Sequence, residues 1–166
     1  MPRLTKDRQI EIDCAIEDLL QKTGASDSGV VKLLDLSKEL GVEIKYAPFL
    51  ETVNGVSGVI KYTGNPVIYI KKSLGKERQR FTLAHEIGHY VLHKKEGVDL
   101  RVDNLDYSSN DSIQETEANY FAGVLLLPKK LLFRAIEKGL NNKQIAKIFG
   151  VSEKVVEVRK RWLMTN

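Results

Sequence analysis

Apolar residues recur at helical spacing in the first forty positions of the chain. This spacing predicts a helix over residues 5–22, which Thr5 can cap, and a second helix over residues 30–40. Gly41 follows the second helix, where glycine readily adopts the left-handed conformation that closes a helix. The apolar positions of the first helix share one face: Ile12, Ile16, Leu19 and Leu20.

Strand patterns follow these two helices. Residues 42–46 alternate apolar and polar side chains, and residues 56–62 and 66–70 are rich in valine, isoleucine and tyrosine. We predict that the three segments pair in a small antiparallel sheet of three or more strands. Because a hairpin before such a helix commonly offers an edge strand, we also predict that residues 66–70 form one; the alternative is a fully paired inner strand. An edge strand can pair with an extended peptide, so we expect these residues to bind substrate: Val67, Ile68, Tyr69 and Ile70.

Helical periodicity returns after the sheet. It predicts long helices over residues 76–93 and 113–127, joined by a charged surface connection over residues 94–111. Helices before and after a sheet give an α+β fold class. Three shorter helices are predicted after Pro128, separated by Gly139 and Gly150: residues 129–138, 141–149 and 152–164.

The charges are unevenly distributed along the 166 residues. Residues 1–128 carry 16 basic and 19 acidic side chains, whereas residues 129–166 carry 10 basic and 3 acidic ones, a net charge of +7. This asymmetry predicts two domains, a main domain over 1–128 and a basic helical subdomain over 129–166. The basic end is explained either by a solvated helix face or by electrostatic docking to a partner.

Composition narrows the class of protein. Hydrophobic residues make up 42% of the chain and charged residues 29%, which is typical of a globular protein. No apolar run reaches the length of a membrane span, and no hydrophobic segment follows the charged start as in a signal peptide. Cys14 is the sole cysteine, so no internal disulfide forms. We expect a cytoplasmic protein with no membrane partner, and we expect Cys14 to lie in the core.

Two histidines and a glutamate on the 76–93 helix carry the clearest chemistry. His85 and His89 are separated by four residues, so their imidazoles lie on one face and reach one Zn²⁺ ion. Glu86 is turned about 100° from His85, too far to be the natural third ligand. It is placed instead to take a proton from water activated by the metal. The pattern predicts a catalytic zinc site.

A catalytic zinc ion needs a third protein ligand. The 113–127 helix offers Glu115 or Glu117, which lie about 200° apart on that helix and cannot both face the metal. Helical spacing favours Glu115, because Asn119 shares its face and can hold a ligand histidine by hydrogen bonding. For His93, one turn beyond His89, we expect a surface or capping position rather than metal binding. The oxyanion-stabilising residue stays open among three strand tyrosines: Tyr46, Tyr62 and Tyr69.

These segments together resemble the ImmA/IrrE family of zinc metallopeptidases. The similar stretches are Phe81–Ala84 leading into His-Glu-Ile-Gly-His, then Glu115–Ala122, then Leu125–Pro128. The resemblance covers about residues 30–128 and implies a zincin-type helix core. It implies that His85, His89 and Glu115 bind zinc and that Glu86 is the catalytic base. Members of this length resemble ImmA-type anti-repressors, which implies an endopeptidase that cleaves a helix-turn-helix repressor and so derepresses phage or mobile-element genes.

A second hypothesis comes from residues 141–164. Ala146, Gly150 and Val156 occur where a helix-turn-helix motif needs a small residue, a turn residue and a core residue. This spacing favours a DNA-binding or regulator-binding protein in which catalysis is secondary or absent. Acidic residues at the start of the last helix would repel phosphate, however, so we expect no sequence-specific nucleic-acid binding and interpret the segment as a stabilising or substrate-docking subdomain.

Overall fold

A computed structural model describes residues 4–23, 29–52, 55–62, 64–93, 100–104 and 113–164, of which 100–104 are described by their backbone alone. The helices lie close to their predicted positions, and the α+β class is confirmed. The described helices are α1 (Lys6–Lys22), α2 (Leu33–Glu39), α3 (Lys76–His93), α4 (Ile113–Leu126), α5 (Lys129–Glu137), α6 (Asn142–Phe149) and α7 (Glu153–Met164). The described strands are β1 (Glu43–Ala47), β2 (Val56–Lys61), β3 (Val67–Lys71) and β4 (Leu100–Asn104).

The sheet is mixed rather than antiparallel. Its strand order is β1-β3-β2-β4, and β2 pairs antiparallel with both of its neighbours. Strand β1 instead pairs parallel with β3, with Glu43 opposite Val67. The antiparallel pairing predicted for residues 42–46 is therefore wrong. The alternation of side chains does not encode the direction of a strand. A short 3₁₀ helix, Pro48–Thr52, follows β1. Strand β3, which pairs with β2, then lies parallel beside β1.

Strand β4 lies within the segment predicted to be a surface connection. Its backbone pairs with β2, with a register irregularity between Val56 and Gly58. The alternation of Leu100 to Asn104 was a strand signal, but the surrounding charges and the short length concealed it. The rest of the predicted connection, residues 94–99 and 105–111, lies outside the described residues.

Helices α3 and α4 pack closely against each other beside the sheet. Helix α4 is buried from Glu115 to Leu126, which explains why its sequence has no continuous polar face. The close approach depends on Gly88 of α3, since a Cβ atom added there would lie 3.0 Å from Cδ1 of Phe121. Phe121 itself is fully buried. The two helices that carry the predicted ligands are thus held in direct contact.

Helices α5 to α7 add their apolar side chains to the same core as the preceding elements. The Trp162 ring of α7 lies 5.1 Å from the Tyr120 ring of α4, and Gly123 leaves room for it. Arg159 is 2% exposed and donates a hydrogen bond to the carbonyl oxygen of Leu127. The predicted division at residue 128 is therefore not marked by a separate core.

Glycine and asparagine define the junction between α6 and α7. Asn141 and Gln144 form a reciprocal capping box at the start of α6. Gly150 ends the helix with a φ of 63°, a left-handed conformation that glycine adopts without steric cost. Within the described ranges, every helix is too short or too polar to span a membrane.

Candidate metal centre

Helix α3 carries the predicted site at its centre. His85, Glu86 and His89 are fully buried, and every α3 residue from Phe81 to His89 is buried. The burial arises because α3 packs against α4 as well as against β2 and β3. Burying polar side chains costs free energy unless they are hydrogen-bonded or bind a ligand. Three buried polar groups in two helical turns therefore indicate a site rather than ordinary core packing.

Glu115 of α4 meets the two histidines. The Nε2 atoms of His85 and His89 lie 3.0 Å apart, and they lie 3.3 and 3.1 Å from the two carboxylate oxygens of Glu115. Ligand atoms around a tetrahedral zinc ion, with bonds of about 2.0–2.1 Å, are separated by about 3.3–3.4 Å. The three side chains thus converge at nearly the spacing of a metal-ligand set, and a divalent metal fits their donor chemistry.

The Glu115 carboxyl is held in its ionised form. Burial raises its pKa, but hydrogen bonds and positive charge from His85 and His89 outweigh the burial, so that its pKa is lowered well below the usual range. An ionised carboxylate and neutral imidazole nitrogens are the forms that bind a metal ion. The carboxylate of Glu115 is therefore in the form that binds a metal ion, and each imidazole becomes a donor when it releases its Nε2 proton to make room for the ion.

Each histidine has a partner on its other ring nitrogen. Nδ1 of His85 lies 3.0 Å from Oδ1 of Asn119, which is the contact expected from the shared face of Glu115 and Asn119. Nδ1 of His89 lies 2.9 Å from Nδ1 of His93. Of the two positions expected for His93, the surface position is wrong, because its side chain is 5% exposed, and a capping role at the end of α3 stays a prediction. Such contacts orient ligand histidines and are a general feature of metal sites.

Glu117, the alternative third ligand, points to a different set of partners. Its carboxylate accepts hydrogen bonds from Nε and an Nη atom of Arg8, at 2.8 and 2.9 Å. It also lies 2.7 Å from Nε2 of His93. The structure brings Glu115 to His85 and His89, and directs Glu117 towards helix α1.

Gly58 of β2 lies directly against the proposed base. A Cβ atom added at Gly58 would overlap Oε1 of Glu86 and would lie 2.8 Å from Cγ2 of Thr82. The carboxylate of Glu86 therefore occupies space that any other residue at position 58 would fill. A lone glycine inside an apolar strand is a sequence signal for such a close approach, and it was available in the β2 segment.

The proposed peptide-binding edge is wrong. Strand β3 lies inside the sheet, with β1 paired on one side and β2 on the other. Its main-chain groups are thus used within the sheet, and no edge of β3 is available for a substrate. The burial of this strand agrees with an internal position: Val67, Ile68 and Ile70 are buried and Tyr69 is partly buried. The outer positions in the sheet belong to β1 and β4.

The remaining candidate residues have other surroundings. Tyr62 stacks against Tyr90 of α3, with ring centroids 6.2 Å apart, and Tyr69 packs against a small apolar cluster. Tyr46 is exposed on β1. A role for any of them in stabilising an oxyanion stays a prediction. Cys14 was expected in the core, and this is wrong, because it is exposed on α1.

No pattern in the sequence indicates a role for Arg8. It lies 109 residues from Glu117, and no local pattern links the two positions. The contact between His89 and His93 had a signal, because side chains four residues apart meet on a helix. The rotation of His93 round the helix relative to His89 favours a surface or capping position instead, so the sequence does not predict the contact.

A helix bearing His-Glu-x-x-His lies beside the mixed sheet, and a glutamate from the next helix completes a candidate set of three metal ligands. This arrangement in an α+β fold is typical of a metallopeptidase site. A family model described as the IrrE N-terminal-like domain matches residues 37–161. The chain belongs to this family of metallopeptidases.

Two named relatives have similar sequences. Metallopeptidase ImmA of Bacillus subtilis (strain 168) is 34% identical over 112 residues, which cover 66% of this chain and 64% of that protein. Radiation response metalloprotease IrrE of Deinococcus radiodurans is 34% identical over 101 residues, covering 59% of this chain and 29% of that protein. The matched region therefore spans less than two thirds of either relative.

A solved structure supports the fold. The structure of a Mycobacterium tuberculosis transcriptional regulator matches with a TM-score of 0.58 at 18% sequence identity. The match covers 90% of this chain and 47% of that chain. At this level of identity the likeness concerns the fold alone.

Proposed function

We propose that the protein is a zinc-dependent endopeptidase. The observation that carries the proposal is the convergence of His85, His89 and Glu115 on one point, with Glu86 on the same helix as the two histidines. One carboxylate and two imidazoles leave a fourth tetrahedral position for water or substrate, as in catalytic zinc sites. A structural zinc site would be closed by a fourth side chain, usually a cysteine, and would have no use for Glu86.

Each side chain of the site has a separate role in the proposed peptide hydrolysis. His85, His89 and Glu115 would hold the ion, which when bound supplies Lewis acidity towards water and the peptide carbonyl. Glu86 accepts the proton of the attacking water and then transfers it to the leaving amine nitrogen. Asn119 holds His85 in position through its contact with Nδ1. Burial of all these groups excludes bulk water, which strengthens their electrostatic interactions.

For the substrate we propose a helix-turn-helix transcriptional repressor, so that cleavage would derepress phage or mobile-element genes. Support comes from the ImmA/IrrE-like motifs on α3 and α4 and from membership of the family. We also propose a cytoplasmic location, which suits a gene-regulatory substrate and a chain whose sole cysteine is an exposed thiol. The partner would be a protein and not a membrane.

The test compares the wild-type protein with Glu86→Gln. Both should bind about one zinc ion, because Glu86 is not a ligand. The variant should lose proteolysis by ~10²–10⁴-fold, the usual effect of removing a general base. Zinc content is measured on purified protein, and cleavage is measured by blotting a co-expressed repressor encoded nearby. Undiminished cleavage by Glu86→Gln would exclude this mechanism, and an intact repressor with the wild-type enzyme would exclude that substrate.

A further inference from the structure

Four side chains from three helices form a continuous line of contacts that ends at a proposed metal ligand. Arg8 of α1 donates two hydrogen bonds to the carboxylate of Glu117 on α4. Oε2 of Glu117 lies 2.7 Å from Nε2 of His93, and Nδ1 of His93 lies 2.9 Å from Nδ1 of His89. Nε2 of His89 is the atom that meets Glu115.

The donor and acceptor roles along this line follow from chemistry. An arginine guanidinium can only donate, so the Glu117 carboxylate accepts from it and also accepts from Nε2–H of His93. A neutral imidazole that donates through Nε2 accepts through Nδ1. With His93 neutral and a metal ion bound, Nδ1 of His89 is the donor in this contact, and Nε2 of His89 offers its lone pair to the ion. The contacts thus select one tautomer of the ligand.

The first member of the line lies outside the region that defines the family. The family match begins at residue 37, whereas Arg8 belongs to the first turn of α1. Helix α1 reaches α4 from the side opposite Glu115, because Glu117 is turned about 200° from Glu115 on the helix. The connection therefore couples an element beyond the matched region to the proposed metal centre.

We propose that Arg8, Glu117 and His93 are positioning residues that fix the tautomer and orientation of His89. Helix α1 then helps to orient a metal ligand, in addition to packing in the core. The inference rests on the metal site of the proposed function. It predicts that disturbing the line weakens metal binding even though none of the three residues touches the metal.

The test measures zinc affinity of the full chain by competition with a chromophoric chelator. Glu117→Gln keeps the shape of the side chain but removes one acceptor oxygen and the negative charge. We expect it to bind zinc ~10–100-fold more weakly, the usual effect of removing a partner of a ligand histidine. Glu115→Ala should weaken binding further, because it removes a ligand. The absorption spectrum of the cobalt-substituted protein should also change in Glu117→Gln.

Two variants on α1 distinguish a role in positioning His89 from a role that only holds α1 against α4. Arg8→Gln should weaken zinc binding in the same direction as Glu117→Gln, and the two effects should not add, since both act through one line. Glu11→Gln is the matched control: Glu11 also binds Arg8, but at an exposed position away from Glu117. It should leave zinc affinity and the cobalt spectrum unchanged.

The outcomes are distinguishable. The melting temperature of each metal-free variant is measured in parallel. A variant that melts at a lower temperature without zinc but binds zinc as tightly as wild type would show that the contacts only hold α1 in place, and would overturn the inference. Unchanged zinc affinity in Arg8→Gln would overturn it as well, even if Glu117→Gln failed to fold. A wild-type protein that binds no zinc would instead remove the proposed function, on which the inference depends.

Discussion

At the scale of single residues, Gly58 is a position where a small change should act on chemistry rather than on folding. Thr82 and Glu86 share one face of α3, and β2 passes over that face at Gly58. A methyl group there overlaps Oε1 of Glu86, so either the strand or the carboxylate must move. Strand β2 is paired on both sides, whereas a side chain can rotate. We therefore expect the Glu86 side chain, rather than strand β2, to change position.

Gly58→Ala should therefore lower the turnover rate by about 10²-fold, because a displacement of about 1 Å at a catalytic group costs about that much. Zinc content should stay near that of wild type, since the proposed ligands lie elsewhere on α3 and α4. Gly75→Ala is the control: its φ is not positive and its Cβ would have no neighbour within 4 Å. Full activity in Gly58→Ala would mean that the sheet, and not Glu86, accommodates the methyl group.

The sequence predicted the centre of this site and its contact with Asn119, but not the contacts of Gly58 and Arg8, for a physical reason. Helical spacing links residues on one helix, so His85, Glu86 and His89 could be assigned from their positions alone. The same periodicity favoured Glu115 over Glu117 on the next helix. Contacts between distant segments, such as Arg8 with Glu117, depend on how helices pack, and no local pattern encodes that packing.

At the scale of elements, the α3–α4 interface sets the distance between the proposed metal ligands. His85 and His89 lie on α3 and Glu115 lies on α4, so any separation of these helices also separates the donors. Gly88 lies between the two histidines and faces Phe121, whose Cβ and Cγ would each lie 3.2 Å from an added Cβ. Phe121 is fully buried, so it cannot move into solvent.

Gly88→Ala should lower the free energy of unfolding, measured by urea denaturation. Alanine gains up to about 1 kcal/mol over glycine inside a helix, but overpacking a core costs about 1–3 kcal/mol. The overpacking should dominate, because the contact involves the root of the Phe121 side chain as well as its ring. Zinc affinity should fall with stability, since α3 and α4 are pushed apart. A variant more stable than wild type would show that helix propensity outweighs the contact.

Elements were easier to place along the chain than in space. The helices and the three predicted strands occur where periodicity indicated, since periodicity is a local property. The parallel pairing of β1 and the internal position of β3 depend instead on the connections between strands. The apolar residues of β3 suit an inner strand as well as an edge strand, and the edge assignment followed from its place before α3, not from its composition.

At the scale of the whole molecule, the basic C-terminal segment is bound into the fold. Arg159 is buried between α7, α4 and α1, where its charge acts on Asp13 and Tyr120. Burial raises the pKa of Asp13, and it raises that of Tyr120 to about 12. One of the ten basic residues of this segment thus serves internal packing. The Trp162 ring packs on α4 in the same region.

The exposed face of α7 decides between an enzyme with a stabilising C-terminal segment and a DNA-binding protein. Glu153, Lys154, Glu157 and Arg161 are exposed on this helix, and Lys154 lies 3.7 Å from Glu157. A recognition helix presents its first turns to bases and phosphates. Two glutamates in those turns repel phosphate, and the adjacent lysine is partly neutralised by one of them.

We therefore expect no tight or sequence-dependent binding of DNA by the Glu86→Gln protein when no repressor is present. The measurement is a gel-shift assay at physiological salt with the operator, the DNA site that the proposed repressor binds. The net charge of +7 on residues 129–166 still allows weak binding through phosphates. Because such binding depends on counterion release, it should weaken steeply between ~50 and ~200 mM salt and should not distinguish operator from unrelated DNA. Replacing Glu153 and Glu157 by glutamine should strengthen this weak binding, since it removes two repulsive charges from the exposed face. Tight binding that prefers the operator would favour the DNA-binding alternative and would reassign α6 and α7 to recognition.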